Sequence, residues 1–225
     1  MATLIHDRIS TSDSRRLRQW LLAPIVVITI AFGWRYPWLG FTVPAAMFLG
    51  IAGGLRRGRY VCGNLCPRGS FFDRLIAPLA SRRSIPSMLR SMPLRWGIFT
   101  LLMGFMVWRL AAVPADLGNW GLVFWSMCAI TTVIGVVLAV IFHPRAWCAV
   151  CPVGTLSNVL GVGRYQLSID PSCRECGKCE QRCTFDLPIV RHKGAGVVQE
   201  RDCLKCSVCA GSCPAGALNW PPGAA

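Results

Sequence analysis

Four stretches of this chain are predominantly apolar and of a length that could cross a bilayer. Leu17–Tyr36 is the first, with Arg18 and Arg35 near its two ends. Leu39–Leu55 follows after a tight turn around Pro37; at 17 residues it sits at the lower limit for crossing a bilayer. Trp96–Val113 is the third, and Leu122–Phe142 the fourth and cleanest. Trp20, Trp34, Trp38, Trp96, Trp108, Trp120 and Trp125 fall near the predicted ends, where amphipathic rings settle at headgroup depth. Beyond residue 167 no such stretch recurs. The pattern predicts a membrane α-helical protein with a tail over residues 1–16, four transmembrane helices within residues 17–167 paired as two hairpins, and a separate domain over residues 168–220.

Composition agrees. The chain is 53% hydrophobic with a mean hydropathy of +0.46, too apolar for an ordinary soluble domain. Its formal net charge is +14, which in a soluble protein would suggest nucleic acid. The distribution argues against that. Residues 1–167 hold 17 basic and 4 acidic side chains, whereas residues 168–225 hold 7 and 6. The excess belongs to the apolar part, where it reads as topology. Arg8, Arg15, Arg16 and Arg18 precede the first span, and Arg56, Arg57, Arg59, Arg68, Arg74, Arg82, Arg83, Arg90 and Arg95 lie between the second and third. The two opposite turns are nearly free of charge. By the positive-inside rule both termini and the long middle loop face the cytoplasm, as for a multi-pass protein of a bacterial inner membrane. No small-residue cleavage site follows the first span, so it reads as an anchor.

The polar C-terminal part carries the chemistry. Cys173, Cys176, Cys179 and Cys183, then Cys203, Cys206, Cys209 and Cys213, spell C-x2-C-x2-C-x3-C twice, with Pro214 after the last. This is the run that ligates two [4Fe–4S] clusters in bacterial ferredoxins, where the fourth cysteine of each run serves the other cluster. Cys173, Cys176, Cys179 and Cys213 are expected to hold one cluster, and Cys203, Cys206, Cys209 and Cys183 the second. Structural zinc would use two separated C-x2-C knuckles instead. The second part is thus expected to be an α+β two-cluster ferredoxin domain. One departure stands out: Thr184 follows Cys183 where proline is usual, a mild change expected either to loosen the local turn or to change hydrogen bonding at that cluster.

The membrane part repeats itself. Cys66-Pro67-Arg68-Gly69-Ser70-Phe71-Phe72-Asp73-Arg74-Leu75 matches Cys151-Pro152-Val153-Gly154-Thr155-Leu156-Ser157-Asn158-Val159-Leu160 as C-P-x-G-[ST]-[FL]-x-[DN]-x-L. Arg59 lies three residues before Cys62, and Arg145 three before Cys148; the pairs are Cys62/Cys66 and Cys148/Cys151. Each copy follows an even-numbered span, so each half is a hairpin, a cysteine pair and a short helix, related by a pseudo-two-fold axis as in parallel-repeat membrane proteins. The prolines suit the first helical position, which puts Cys66 and Cys151 at helix N-termini. Three readings of the four thiols stay open: a third iron–sulfur cluster, a redox-active dithiol system, or structural turns. The segment after Cys66, with Phe71, Phe72, Leu75, Ile76 and Leu79, reads as an interfacial helix or as one packed under the ferredoxin domain.

Missing residues narrow the chemistry. The three histidines, His6, His143 and His192, are too scattered to clamp a haem, and no dinucleotide fingerprint is present. A quinone pocket would draw on Asp73, His143 and Arg145 on the inner side, or Arg109, Asp116 and Asn119 on the outer, although solvated loop or topology roles also account for these. Cys128, alone in the fourth span, reads as a small packing residue.

Four spans, two cysteine–proline motifs at their cytoplasmic ends and a C-terminal two-cluster domain together resemble the NapH/NosR family of membrane ferredoxin-type proteins. The closer likeness is to the NapH-type subunit of the periplasmic nitrate reductase system and its MauN-type relative in methylamine utilisation. The resemblance covers residues 15–220 and implies quinol oxidation or electron relay at the membrane, with a ferredoxin-like, cytochrome or dehydrogenase partner. Cys62, Cys66, Cys148 and Cys151 match the family's paired motifs, although the second pair is one residue closer. The large periplasmic flavin domain of NosR has no counterpart. Two rivals follow from the same architecture: a membrane ferredoxin that reduces a metal during maturation of another enzyme, as CcoG-like relatives do, and a passive anchor for a larger redox complex.

Overall fold

The computed structural model describes residues 2–81 and 83–221, with side chains from Ser14 onward. Eleven α-helices and one short sheet are present among them. Helix α1 (Ala2–Phe32) is followed by a 3-10 turn, Pro37–Phe41, that leads directly into α2 (Thr42–Arg57). Two short helices come next, α3 (Tyr60–Asn64) and α4 (Pro67–Phe71), then a π-helical turn over Phe72–Ile76 and the single-turn α5 (Ser87–Arg90). The second half repeats the plan: α6 (Met92–Ala112), α7 (Leu117–Ile141), α8 (Ala146–Val150) and α9 (Pro152–Leu160). The C-terminal part contains β1 (Ser168–Ile169), α10 (Lys178–Gln181), α11 (Val208–Ser212) and β2 (Leu218–Asn219). The strands pair antiparallel, Ser168 opposite Asn219 and Ile169 opposite Leu218, tying the two ends of this part together.

Three helices of the described residues are long and apolar enough to cross a membrane: Pro37–Arg57, Met92–Ala112 and Leu117–Ile141. Their outer surfaces carry large exposed apolar side chains, among them Phe48, Leu101, Trp108, Val133 and Val140, as expected of helices solvated by lipid. The second span is longer than the predicted Leu39–Leu55, because the turn at Pro37 is itself helical and continuous with α2. The first predicted span is not among the three. Helix α1 ends at Phe32 rather than Tyr36, and its N-terminal half is not the separate tail predicted over residues 1–16 but the start of the same helix. Nor are its arginines all topology charges. Arg15 is buried; it pairs with Asp73 at 2.9 Å and donates to the Gly63 carbonyl. Gln19, fully buried, donates to Asp73 at 2.8 Å. The side chains of His6, Arg8 and Arg82, named above, lie outside the described residues.

The two repeats interlock. Gly50 of α2 faces Val153 of α9, and Gly135 of α7 faces Phe72; a Cβ on either glycine would approach the other repeat to 2.5 Å. Phe72 is therefore fully buried, packed with Trp147, Val150 and Ala139 in a second core. The segment after Cys66 is thus a packed helix rather than a free interfacial one, although Leu79 remains 75% exposed. The larger core belongs to the C-terminal part, built of Leu167, Ile169, Phe185, Leu187, Ile189, Val198, Leu204 and Leu218. Ile85 and Ala149 of the membrane part join it, so the two parts share one apolar interior.

Candidate iron–sulfur centres

Each cysteine pair is positioned by the same local structure. Cys62 lies within α3 and Cys148 within α8; Cys66 and Cys151 occupy the N-caps of α4 and α9, with Pro67 and Pro152 at the first helical position as the sequence predicts. Proline needs no N–H there, and its fixed φ suits helix entry. The Cys66 sulfur accepts from the Gly69 amide at 3.5 Å.

The arginines three residues before each pair reach across to the other. Arg145 donates to the Cys62 carbonyl at 3.2 Å and lies 3.7 Å from the Cys148 sulfur. Arg59 donates to the Cys148 carbonyl. Each guanidinium passes over the other repeat's motif glycine, and only glycine leaves room. A Cβ on Gly69 would come within 2.5 Å of Arg145 Nη1, and one on Gly154 within 2.9 Å of Arg59 Nη2. The exchange draws the four thiols to one place. Cys62, Cys66, Cys148 and Cys151 all line a single cavity of about 180 Å³ between the helices.

Buried guanidinium groups need anions, and the two repeats supply them differently. Arg145 is held bidentately by Asp73 at 2.7 and 2.6 Å. Burial alone would raise the Asp73 pKa, but the charge and hydrogen bonds of Arg145, with the charge of Arg15, outweigh it and hold the carboxyl below its ordinary value. The position equivalent to Asp73 in the second repeat is Asn158. The carboxylate for Arg59 comes instead from Asp202, at 2.7 Å, immediately before Cys203. Arg95 of α6 binds the same carboxylate through two nitrogens, at 2.8 and 2.6 Å, and Asn158 donates to it at 2.6 Å. Replacing one aspartate with asparagine in the repeat thus leaves a socket that the C-terminal part fills. Asn64 adds a bond to the Lys205 carbonyl at 3.2 Å, and the Leu204 carbonyl packs on Gly63.

Within the C-terminal part the eight cysteines fall around two cavities. Cys183, Cys203, Cys206 and Cys209 line one cavity; Cys173, Cys176, Cys179 and Cys213 line another. The two loops have matching backbones: Glu175 and Lys205 both have φ of 52°, and Gly177 and Ser207 follow at 70° and 62°. These left-handed residues curl each loop around its cavity. Ser207 takes this conformation without being glycine, and its hydroxyl accepts from the Trp220 indole at 2.9 Å. Thr184 has its hydroxyl 3.4 Å from the Cys206 sulfur. Cys62 and Cys148 pack against the core that the C-terminal cysteines share, and the Arg59–Asp202 pair and the Leu204 carbonyl on Gly63 make the Cys203 loop the neighbour of the four-cysteine site.

Among the described residues, no three His, Cys, Asp or Glu side chains converge on a point that would suit a single metal ion. A four-iron cube binds each cysteine to a different iron and does not require that convergence. Burial pushes the Cys66 thiol up to about 12, with Cys62 and the other pair adding to the shift, and it raises Cys62 as well. Buried thiols become thiolates only beside a strong cationic centre, and a metal cluster is such a centre. All twelve candidate ligand cysteines, like Cys128, are free of disulfides, as ligation requires. The donor sets therefore fit iron–sulfur clusters. Of the residues considered for a quinone pocket, Asp73 and Arg145 are committed to each other, Asp116 caps α7 by accepting from Gly118 at 2.8 Å, and Arg109 is exposed.

Arg68 and Trp147 are the residues that spacing did not single out. The Arg68 guanidinium sits 4.9 Å over the Trp147 ring, and both side chains line the cavity beside the four thiols. Their signal in sequence is weak, since position 68 is a variable position of the repeat and pairs with Val153.

Two segments of the chain, residues 39–86 and 124–168, match the model of a 4Fe–4S binding domain family. They are the two cysteine–proline repeats with their spans, together under half of the chain. Two uncharacterized proteins of Methanocaldococcus jannaschii are similar. MJ0750 is 24% identical over 186 residues, which is 72% of this chain and 72% of the relative. MJ0749 is 25% identical over 169 residues, 72% of this chain and 64% of the relative. No solved structure matches. The family match, the cysteine-lined cavities and three membrane-length apolar helices together support an iron–sulfur, ferredoxin-type protein associated with a membrane.

Proposed function

We propose that this protein is an electron-transfer subunit of a bacterial cytoplasmic membrane, relaying electrons between the quinone pool and a redox partner subunit. Two [4Fe–4S] clusters would be held by Cys173, Cys176, Cys179 and Cys213 and by Cys203, Cys206, Cys209 and Cys183, and a third by Cys62, Cys66, Cys148 and Cys151. The observation that carries this reading is the placement of the third set. Its four thiols face a cavity between membrane helices on one side and share the apolar core of the nearer ferredoxin loop on the other. A passive anchor needs no thiols there. Clusters supply one-electron chemistry; the chain's own residues hold them close, exclude water and neutralise their negative charge with Arg59 and Arg145. A quinol that is oxidised gives up two electrons and two protons; three one-electron centres in series would take the electrons one at a time, and the protons would pass to water. In this reading α1 completes a fourth crossing, and both termini, the middle loop and the ferredoxin part face the cytoplasm, as the arginine distribution indicates.

The test is an iron and sulfide count with quinol-dependent reduction of the anaerobically purified protein. About twelve irons per chain are expected, on four per cluster, together with an EPR signal that a quinol analogue elicits. No cluster reduction by any quinol, and no cluster-dependent reduction of a quinone analogue, would remove the quinone link.

A further inference from the structure

The cavity beside the four thiols is lined by four helices: Thr29 of α1, Ala46 of α2, Met103 of α6 and Met127 of α7 all contribute. Its walls are almost wholly apolar, and methionine makes them adaptable. Its lining includes a charged group without a polar partner. Arg68 Nε and Nη2 are both buried and donate to nothing, and Trp147 Nε1 beside them is also buried and unpaired. Buried donors without acceptors are costly and rare in folded proteins. Three of them, on two stacked side chains that line one cavity, leave a place there for an acceptor supplied from outside the chain. Arg68 has no carboxylate in contact, unlike Arg15, Arg59, Arg95 and Arg145, which all bind Asp73 or Asp202.

We propose that this cavity binds a lipid-soluble ring carrying a carbonyl or hydroxyl oxygen, the chemistry of a quinone, with its oxygen accepting from the Arg68 guanidinium. This rests on the electron-transfer reading above and gives it a place. The apolar walls suit the ring and the start of its tail, and a forked pair of N–H donors suits a single oxygen. The other acceptor on offer is a sulfide of a cluster held by the four cysteines, and the two ligands predict different results.

Decylubiquinone binding to the purified full chain in detergent would be measured by equilibrium titration, with iron and sulfide counted in the same samples. Two variants are compared. Arg68→Met removes the donors. Ala46→Phe fills the cavity from α2 and touches neither the arginine nor a thiol. Both are expected to weaken binding of the probe at least tenfold with iron content unchanged. Wild-type affinity in either variant with full iron overturns the proposal. So does loss of iron in Arg68→Met beside normal binding in Ala46→Phe, since the acceptor is then the cluster. Binding of the probe without any quinol-dependent reduction keeps this site and defeats the electron-transfer reading; reduction without binding does the reverse.

Discussion

Thr184 shows how much one hydroxyl can decide. In the other cysteine run the equivalent residue is Pro214, which has no hydroxyl to offer. At Thr184 the hydroxyl lies 3.4 Å from Cys206 Sγ. A thiolate ligand has no proton, so the hydroxyl donates. A donor at a ligand sulfur stabilises the more negative, reduced form and raises the potential. Thr184→Val is therefore expected to lower the potential of the cluster at Cys183, Cys203, Cys206 and Cys209 by an amount on the order of tens of millivolts, leaving the other in place. A redox titration followed by EPR reads both clusters at once; equal shifts in the two, or none, would refute a local effect. Gly69 is a second such position. A methyl there would meet Arg145 Nη1, and Arg145 cannot yield because Asp73 grips it at two points. Gly69→Ala should cost about 1–3 kcal/mol of stability by overpacking. Gly104, with nothing within 4 Å of its would-be methyl, is the control. Thermal loss of the visible cluster absorbance would compare the two, and equal melting temperatures would show that the crossing of Arg145 over Gly69 is slack.

Among the elements, the repeats were legible and their mutual embrace was not. Cysteine–proline spacing placed Cys66 and Cys151 at the N-caps of α4 and α9, because proline's fixed φ and missing N–H leave few alternatives. The apolar runs placed α6 and α7 to within a few residues. The first span was harder. Arg15, Arg16 and Arg18 look like a solvated tail when counted, yet α1 runs through them and Arg15 is buried against Asp73. A counting rule for topology has no means of telling which arginine meets a carboxylate 58 residues later. The same limit hid Asp202. In the sequence it is an acidic residue before a cysteine. In the fold it replaces the carboxylate that Asn158 lacks, and so fastens the C-terminal part to Arg59 at the start of α3, to α6 and to α9. Asp202→Asn would leave Arg59 and Arg95 buried without an anion, a loss of about 3–5 kcal/mol for removal of one partner from a buried charge network. Asn158→Asp in the same chain restores a carboxylate where the first repeat keeps its own. The double variant should regain a good part of the lost melting temperature. No loss in the single variant, or no recovery in the double, would mean that Asp202 is not the latch between the two parts.

At the scale of the whole molecule, the order of the sites matters more than any one of them. The cavity with Arg68 lies between the long apolar helices, the four thiols line it, and Cys62 and Cys148 pack against the same apolar core as Cys203 and Cys206. Cys183 and Cys213 each cross to the other run's cavity, so the last cluster site is joined to the nearer one by the chain itself. Arg59 binds the Cys148 carbonyl and Asp202 together, which holds the membrane thiols and the nearer ferredoxin loop in fixed relation. A rigid series of this kind predicts that the membrane thiols can be removed without unmaking the ferredoxin sites. In Cys66→Ser/Cys151→Ser the iron content should fall to about eight per chain, the complement of two four-iron clusters. Dithionite, which reaches the exposed ferredoxin part from water, should still reduce those clusters fully. A quinol analogue, which enters from the membrane side, should reduce them at least about a hundredfold more slowly, since tunnelling must now span the gap the missing site leaves. Stopped-flow bleaching with each reductant separates the two routes. Quinol reduction at the original rate in a chain with eight irons would show that electrons bypass the four thiols, and the repeats would then be structural turns after all.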